Sequence, residues 1–467
     1  MNTNIEKSIE NLRINKRRYA ITERYYRGEH NLAFATDKFQ NAFGSLFREF
    51  AMNLCPAICD AIKDKLKVTG FGVEDDGGRS GGEGPAPRTL NHEARRVWQN
   101  NRMGLRSGEI HKEALKNGDA YAVVWPNAQG EVVIYPNKAA NITVVYDEES
   151  PGRILWAAKH WRTQNKRTRL NLFYADRIER YISIKESEAI LPEAKDFAPL
   201  GSQALLPGHP ERDETSPRVS HREASQAGKL RSEKDMSHIV RNPYGVVPVF
   251  HFANNSDIGM PGQSELESAI PVQDGLNKSV LDMLVAMEFS AYRQRWAAGI
   301  EIEYDGEGKA IAPFTAGIDH LWIAQNPNAR FGDFEAANLD QFLKVKDSFR
   351  IDIASVTGTP LHYLMPHMNG FPSGESLRKG ETRFIAKVRD RQEAFGQTWA
   401  DLMAFALMLD GHGKGIRLLT AWEDPAPMSD REVLENILIK KDIGVSVEQA
   451  LIEAGYGDAD IRKMLSL

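Results

Sequence analysis

The residues able to do chemistry are plentiful, but their spacing selects no catalytic set. Twelve histidines are scattered without a His-x-His or His-Glu-x-x-His pattern, the spacings that put two imidazoles on one metal. His362 and His367 form the closest pair, inside a segment rich in proline and glycine, where solvated or packed side chains are expected rather than ligands. Gly78-Arg79-Ser80-Gly81-Gly82 has the letters of a nucleophile elbow, yet no strand leads into it and no helix leaves it, so nothing would expose the hydroxyl. Gly308-Lys309 and Gly413-Lys414 lack the upstream glycine and the hydroxyl of a phosphate-cradling loop. The acid pairs Asp75-Asp76, Asp147-Glu148 and Glu423-Asp424 fall in turns, where solvated charge is the expectation. Cys55 and Cys59 are the only cysteines; too few for a four-thiolate zinc site, they read as buried thiols of a reducing compartment. The expectation is a protein without catalysis, metal or cofactor.

Charge distribution is more informative. The 59 Lys+Arg against 64 Asp+Glu give a net charge of -5, which excludes a chain that holds nucleic acid by overall positive charge. Locally the balance breaks both ways. Residues 300–340 contain eight acids, among them Glu301, Glu303, Asp305 and Glu307, against Lys309 and Arg330. Further on, Lys379, Arg383, Lys387 and Arg391 recur every fourth residue and so share one helix face. That stripe either meets DNA or a subunit interface, or is a solvated face paired locally with Glu375 and Asp390.

The elements that must carry these residues follow from periodicity. With 467 residues, 42% hydrophobic and 26% charged, the chain is a globular protein of more than one packed unit, being about three times the usual domain length. No uncharged apolar run reaches the roughly 18 residues that span a bilayer, and no membrane partner is expected. Helices are predicted over 5–27, over 45–67 with a bend at Pro56, and over 91–117. Short β-rich runs then follow from Ala120 to Ile184, with one more over 246–252. Between them, 186–238 loses all periodicity and reads as a flexible insertion. Helical spacing returns over 272–296 and 339–357, flanking a hairpin-like module that opens at Ile300 to Tyr304. Residues 358–372 hold three prolines and two glycines, among them Gly358, Pro360, Gly370 and Pro372, and read as a loop. A long helix runs to Leu409, and two or three short helices complete the chain. The fold class is α+β.

In this order, Tyr25-Tyr26-Arg27-Gly28-Glu29-His30-Asn31-Leu32, Gly118-Asp119-Ala120-Tyr121, Asn242 to Pro248 with Phe250 to Asn254, Ser264-Glu265-Leu266-Glu267 through Asn277 to Gly299, and Ser373-Gly374-Glu375-Ser376-Leu377 resemble the bacteriophage portal proteins, the head-to-tail connectors of siphophage type. The resemblance runs from about residue 20 onward and leaves 186–238 unmatched. It implies a ring of about twelve copies around a DNA channel at one capsid vertex, carried in the virion and assembled in the host cytoplasm. In such a fold, 1–263 would be most of an α/β wing, 264–296 a stem helix, 297–338 the clip and 339–357 the second stem helix. Residues 358–372 would be a tunnel loop presenting Gly358, Pro360, His362, Tyr363, His367, Asn369, Gly370 and Pro372 to DNA, 373–409 the spine helix, and 410–467 the crown. The implied partners are further copies, passing double-stranded DNA, terminase at the acidic clip, capsid or scaffolding protein, and head-completion proteins. Two other classes stay open: a nucleic-acid-processing phage enzyme with a carboxylate metal site, and a minor head protein outside the channel.

Overall fold

A computed structural model of the chain describes residues 3–37, 40–41, 52–73, 87–150, 152–186, 191–201, 237–257, 260–291, 295–300, 304–307, 326–333, 339–365, 374–426, 430–456 and 458–465. They divide into two compact units, one formed by 1–29, 53–270 and 354–467, the other by 30–52 and 271–353.

Two larger sheets and one strand pair lie in the first unit. Strands β2 (Asp119–Pro126), β3 (Val132–Asn137) and β10 (Val249–Ala253) make one, in the order β10-β2-β3. Strands β4 (Ile142–Tyr146), β5 (Ile154–Arg162), β6 (Thr168–Tyr174), β7 (Arg177–Ser183) and β8 (Phe197–Pro199) make the other in chain order, with β9 (Ile239–Arg241) also paired to β7. All these pairings are antiparallel. Side chains alternate faces along a strand, and both faces of the larger sheet are covered. Trp156, Ala158, Leu170, Leu172 and Tyr174 pack beneath Ile5, Ile9 and Leu12 of helix α1 (Thr3–Tyr26), while Ala157, Phe173 and Ile178 join Tyr121, Val123 and Val249 of the smaller sheet. Leu191 and Phe197, from the segment expected to be a structureless insertion, lie in the core under α1. Residues 191–201 therefore belong to the fold; most of the remaining insertion, 187–190 and 202–236, lies outside the described residues.

The structure differs from the sequence expectation at two helical segments and in the C-terminal part of the chain. Helix α2 spans Cys55–Lys63, with Pro56 in its first turn rather than at a bend; proline lacks the N–H that an interior position must donate. Residues 91–117 form two helices, α3 (Pro87–Asn100) and α4 (Met103–Asn117), parted at Arg102 with φ +53°. Buried Asn101 fills the break, donating to the Val97 and Val132 carbonyls and accepting from the Ile134 N–H. The helical end of the chain also contains a strand, β13 (Leu418–Trp422), which pairs antiparallel with β1 (Val68–Val73).

Helix α8 (Gly374–Leu409) is 36 residues long, about 54 Å at 1.5 Å per residue. Trp399, Phe395 and Leu402 on its inner face are completely buried. Trp399 packs edge-on to Trp98 and against Phe252, and its indole N–H donates to His111 Nε2 at 2.9 Å. Helices α9 (Asp430–Asp442), α10 (Val447–Glu453) and α11 (Asp458–Leu465) follow with a small core of Ile437, Leu451 and Ile461.

In the second unit, helix α5 (Ile270–Ala291) ends five residues short of the expected Trp296. The chain then enters strand β11 (Arg295–Ala298), antiparallel to β12 (Arg330–Asp333). Trp296 lies over Gly332, where a Cβ would come within 2.6 Å of the indole, so the strand pair needs glycine there. Helix α6 (Asp340–Thr357) places Phe349 on Gly275 of α5, where a Cβ would stand 2.8 Å from the ring. Gln273 donates to the Met52 carbonyl at 2.8 Å.

Burial holds the His111 pKa down to about 3, so the ring stays neutral in the fold while an unfolded histidine takes a proton below about pH 6.5. The unfolded chain then binds more protons, and stability falls as pH drops through that window. H111Q is expected to flatten the decline in denaturation midpoint between about pH 6 and pH 4; an unchanged slope would contradict the neutral, buried assignment.

Candidate functional site

Glu265 organises the basic stripe. It stands on the connector between β10 and α5 and is nearly fully buried, a position too costly for an unpaired carboxylate. One oxygen accepts from Arg391 Nη2 at 2.9 Å, Arg391 Nε at 3.1 Å and Asn254 Nδ2 at 3.1 Å; the other lies 2.5 Å from Lys387 Nζ. Burial pushes the Glu265 pKa up, but the two cations and the Asn254 bond outweigh it and leave the group below its ordinary value. Lys387 also donates to the Thr357 carbonyl at 2.8 Å, at the C-terminal end of α6, where a cation is favoured by the helix dipole.

The stripe therefore divides. Lys379 and Arg383 are exposed. Lys387 and Arg391 turn inward to Glu265, and buried Arg391 leaves the set of candidate DNA-facing residues. The flanking arginines reach acids further along the chain: Arg378 forms a fork onto Glu432 at 2.5 and 2.7 Å, and Arg389 reaches Asp424 at 3.4 Å. The Glu375 side chain lies outside the described residues.

A second buried carboxylate, Asp119, fixes the other end of the same connector. One oxygen accepts from Arg18 at 2.7 Å and the Tyr19 hydroxyl at 2.6 Å; the other meets His251 Nε2 at 2.8 Å and accepts from the Gly262 N–H at 2.9 Å. Burial raises the Asp119 pKa, yet His251, Tyr19 and Arg18 together hold it below the usual carboxylate range. The neighbouring Gly118 and Gly262 backbones pass so closely that a Cβ on either would run into the other's carbonyl. Gly118-Asp119, Asn254 and Ser264-Glu265 all fall in stretches that carry the family resemblance, but their spacing does not disclose this chemistry. The available signal was an acid placed immediately before an apolar strand and another beside a buried turn.

The loop residues described are 358–365. Gly358 has φ +67°, which suits glycine, and Leu361–Leu364 form a short helix, α7, rather than extended loop. His362 Nε2 lies 3.0 Å from Glu381 of α8, and Tyr363 packs between His362 and Phe384. Burial and the Glu381 and Asp64 charges push the Tyr363 pKa up. His367, Asn369, Gly370 and Pro372 lie outside the described residues, as do Glu301, Glu303 and Lys309. Asp305, Glu307 and Arg330 are exposed, and the Asp305 carboxylate accepts the Glu307 N–H at 3.0 Å.

Among the described residues, Glu93, Asp410 and His412 have metal-type donors within 4.8 Å of one another. Arg96 pairs with both carboxylates and already supplies the positive charge that an ion would bring. No helix of the described residues is long and apolar enough to cross a membrane.

Removing one partner of a buried ion pair strands the other. E265Q is expected to lower unfolding free energy by about 3 kcal/mol or more, whereas K379A and R383A should stay within about 0.5 kcal/mol of the parent. Because the folded Glu265 pKa is depressed, its contribution is present at neutral pH and is lost as pH falls through that value. Denaturant titration at neutral and acid pH checks both points; equal losses for E265Q and K379A would refute the division of the stripe.

Comparison with known proteins bears on the whole arrangement. The portal proteins of Mycobacterium phage D29 and of Mycobacterium phage L5 are each 28% identical to this chain over 211 residues, 43% of this chain and 43% of theirs. The matched stretch thus spans less than half the length of these curated relatives. A solved structure described as the neck of a native gene transfer agent particle, computed with C12 symmetry, covers 88% of this chain and 90% of its own at 11% identity and a TM-score of 0.41, too distant to carry an argument. The family described as "Phage portal protein, SPP1 Gp6-like" matches residues 5–454. That continuous match takes in α1, both sheets, the Asp119 and Glu265 anchors and α8: the chain belongs to the phage portal protein family, whose members are structural proteins of the virion and not enzymes.

Proposed function

We propose that this chain assembles into a ring of about twelve copies at one capsid vertex, and that double-stranded DNA passes through the ring during packaging and ejection. The observation that carries the reading is the family match across residues 5–454. The division of the chain supports it, since residues 271–353 belong to the smaller unit while the chain before and after them belongs to the larger one. This is the course expected of stem helices and clip, 264–296, 297–338 and 339–357, between a wing of 1–263 and a spine of 373–409. The crown, 410–467, takes strand β13 back to β1.

On this reading the DNA-facing set is Gly358, Pro360, His362, Tyr363, His367, Asn369, Gly370 and Pro372 of the tunnel loop, with Lys379 and Arg383 as candidate guiding cations at the channel or at the interface between copies. Lys387 and Arg391 serve by holding Glu265. The clip residues Glu301, Glu303, Asp305, Glu307, Lys309 and Arg330 would present a mostly acidic surface to terminase and then to head-completion proteins, with capsid or scaffolding protein around the wing. A net charge of -5 per chain becomes roughly -60 over about twelve copies. Phosphates meeting few cations release few counterions, so a duplex slides rather than binds.

Electron microscopy with native mass measurement of the purified protein is the test. Rings with a central hole, at a mass of about twelve chains, are expected; a stable monomer or dimer at all concentrations and salts would overturn the reading.

A further inference from the structure

The hairpin of β5 and β6 departs from the charge balance of the chain. From Ile154 to Ala175 the sequence holds five cations, Lys159, Arg162, Lys166, Arg167 and Arg169, and no acid, although the whole chain carries a net charge of -5. Elsewhere in the larger unit cations are matched to carboxylates: Arg18 to Asp119, Lys116 to Glu23, Arg177 to Glu179, Lys387 and Arg391 to Glu265. Among the described residues, none of the five hairpin cations lies within ion-pairing distance of an acid.

Strand register groups them. Trp161 stands opposite Arg169 and Lys159 opposite Asn171, so these four share one face of the sheet. Lys159 Nζ lies 5.5 Å from the centre of the Trp161 ring, and burial with no acid to offset it holds the Lys159 pKa below its ordinary value. On the same face, Arg169 Nε and Asn171 Oδ1 are buried without a hydrogen-bond partner among the described residues. At the tip the Thr163 N–H donates to the Arg167 carbonyl at 2.8 Å, and the Lys166 N–H to the Thr163 carbonyl at 3.1 Å. This closure holds Lys166 at φ +54°, a left-handed backbone that suits glycine and strains a lysine. The turn thus carries an exposed ammonium where local propensity favours no side chain at all, the kind of strain that points to function.

Two classes of macromolecule could meet such a surface with negative charge, and the tip distinguishes them. A protein interface is organised around an apolar centre in which lysine is depleted, but Arg162-Thr163-Gln164-Asn165-Lys166-Arg167 contains no apolar residue. A phosphodiester backbone is held by the groups present here, Arg and Lys with Thr, Gln and Asn as neutral donors. We infer that the β5–β6 hairpin is a nucleic-acid-binding surface on which Arg162, Lys166 and Arg167, with Arg169 behind them, contact the phosphodiester backbone without reading sequence. The surface belongs to a single chain and goes beyond the ring reading. Its residues lie outside the tunnel loop and the α8 stripe, and a chain that formed no ring would still bind through them.

Fluorescence anisotropy with the full-length protein and a labelled duplex of about 30 base pairs tests the inference through its salt dependence. R162Q/K166G/R167Q removes three cations and relieves the Lys166 backbone, so it should keep the parent's denaturation midpoint. It should bind the duplex about tenfold more weakly or worse at about 0.1 M salt, and lower the slope of log K against log salt by about 0.9 for each cation removed. K7Q/K414Q/K441Q makes the same change of net charge at exposed sites on other elements and should stay within about twofold of the parent. Poly-glutamate, the protein-like probe, should bind about tenfold more weakly than the duplex or worse. Single-stranded DNA of the same length identifies the preferred form, since its slope is about 0.7 for each cation. Duplex binding by R162Q/K166G/R167Q at the parent's level, equal losses in both triple variants, or poly-glutamate bound as tightly as the duplex would each overturn the inference. Microscopy of the same samples should show ring assembly unchanged by R162Q/K166G/R167Q, so failure of the hairpin and failure of the ring are seen separately.

Discussion

Two carboxylates buried beside the connector from β10 to α5 set the constraint on which the larger unit depends. Glu265 and Asp119 are each nearly inaccessible, and each is tolerable only with its donors in place. The donors come from far apart in sequence: Arg18 and Tyr19 from α1, His251 from β10, Lys387 and Arg391 from α8. The first helix, the sheet, the connector and α8 are thereby held to one register. Apolar burial supplies most of the driving force, but it is non-directional. The carboxylates add direction, because their bonds are met only in one arrangement.

The same constraint changes what the basic stripe means. Four cations at helical spacing look alike in sequence, yet a carboxylate from residue 265 selects the two that lie furthest along α8 and leaves Lys379 and Arg383 outside. A long helix must be anchored on one side and wetted on the other, and a single four-residue repeat serves both needs. The positive charge left exposed on this stripe is smaller than the sequence count suggests.

The long elements were legible because their periodicity is strong. The α8 helix and the α6 boundaries at 340–357 follow from apolar spacing, and the β-rich stretch from Ala120 to Ile184 follows from alternation between turns. What escaped was set by partners distant in sequence. Strand β13 has only five residues and forms against β1 nearly 350 positions earlier, and β8 sits in a segment whose composition resembles loop. Arg102 breaks a continuous helical pattern because Asn101 is wanted by β3. At the site, spacing revealed that the four cations share a face but could not reveal Glu265, since nothing local marks a glutamate as buried. The family resemblance was legible from order and spacing before either carboxylate's role was.

The most direct measurement is a double-mutant cycle between Glu265 and Arg391, read by denaturant unfolding at neutral pH. If this buried pair fixes the connector to α8, E265Q and R391M should be strongly non-additive, with a coupling energy of about 2 kcal/mol or more. Additivity to within about 0.5 kcal/mol would show that the two side chains act independently, and would contradict the role of Glu265 as the anchor between connector and α8.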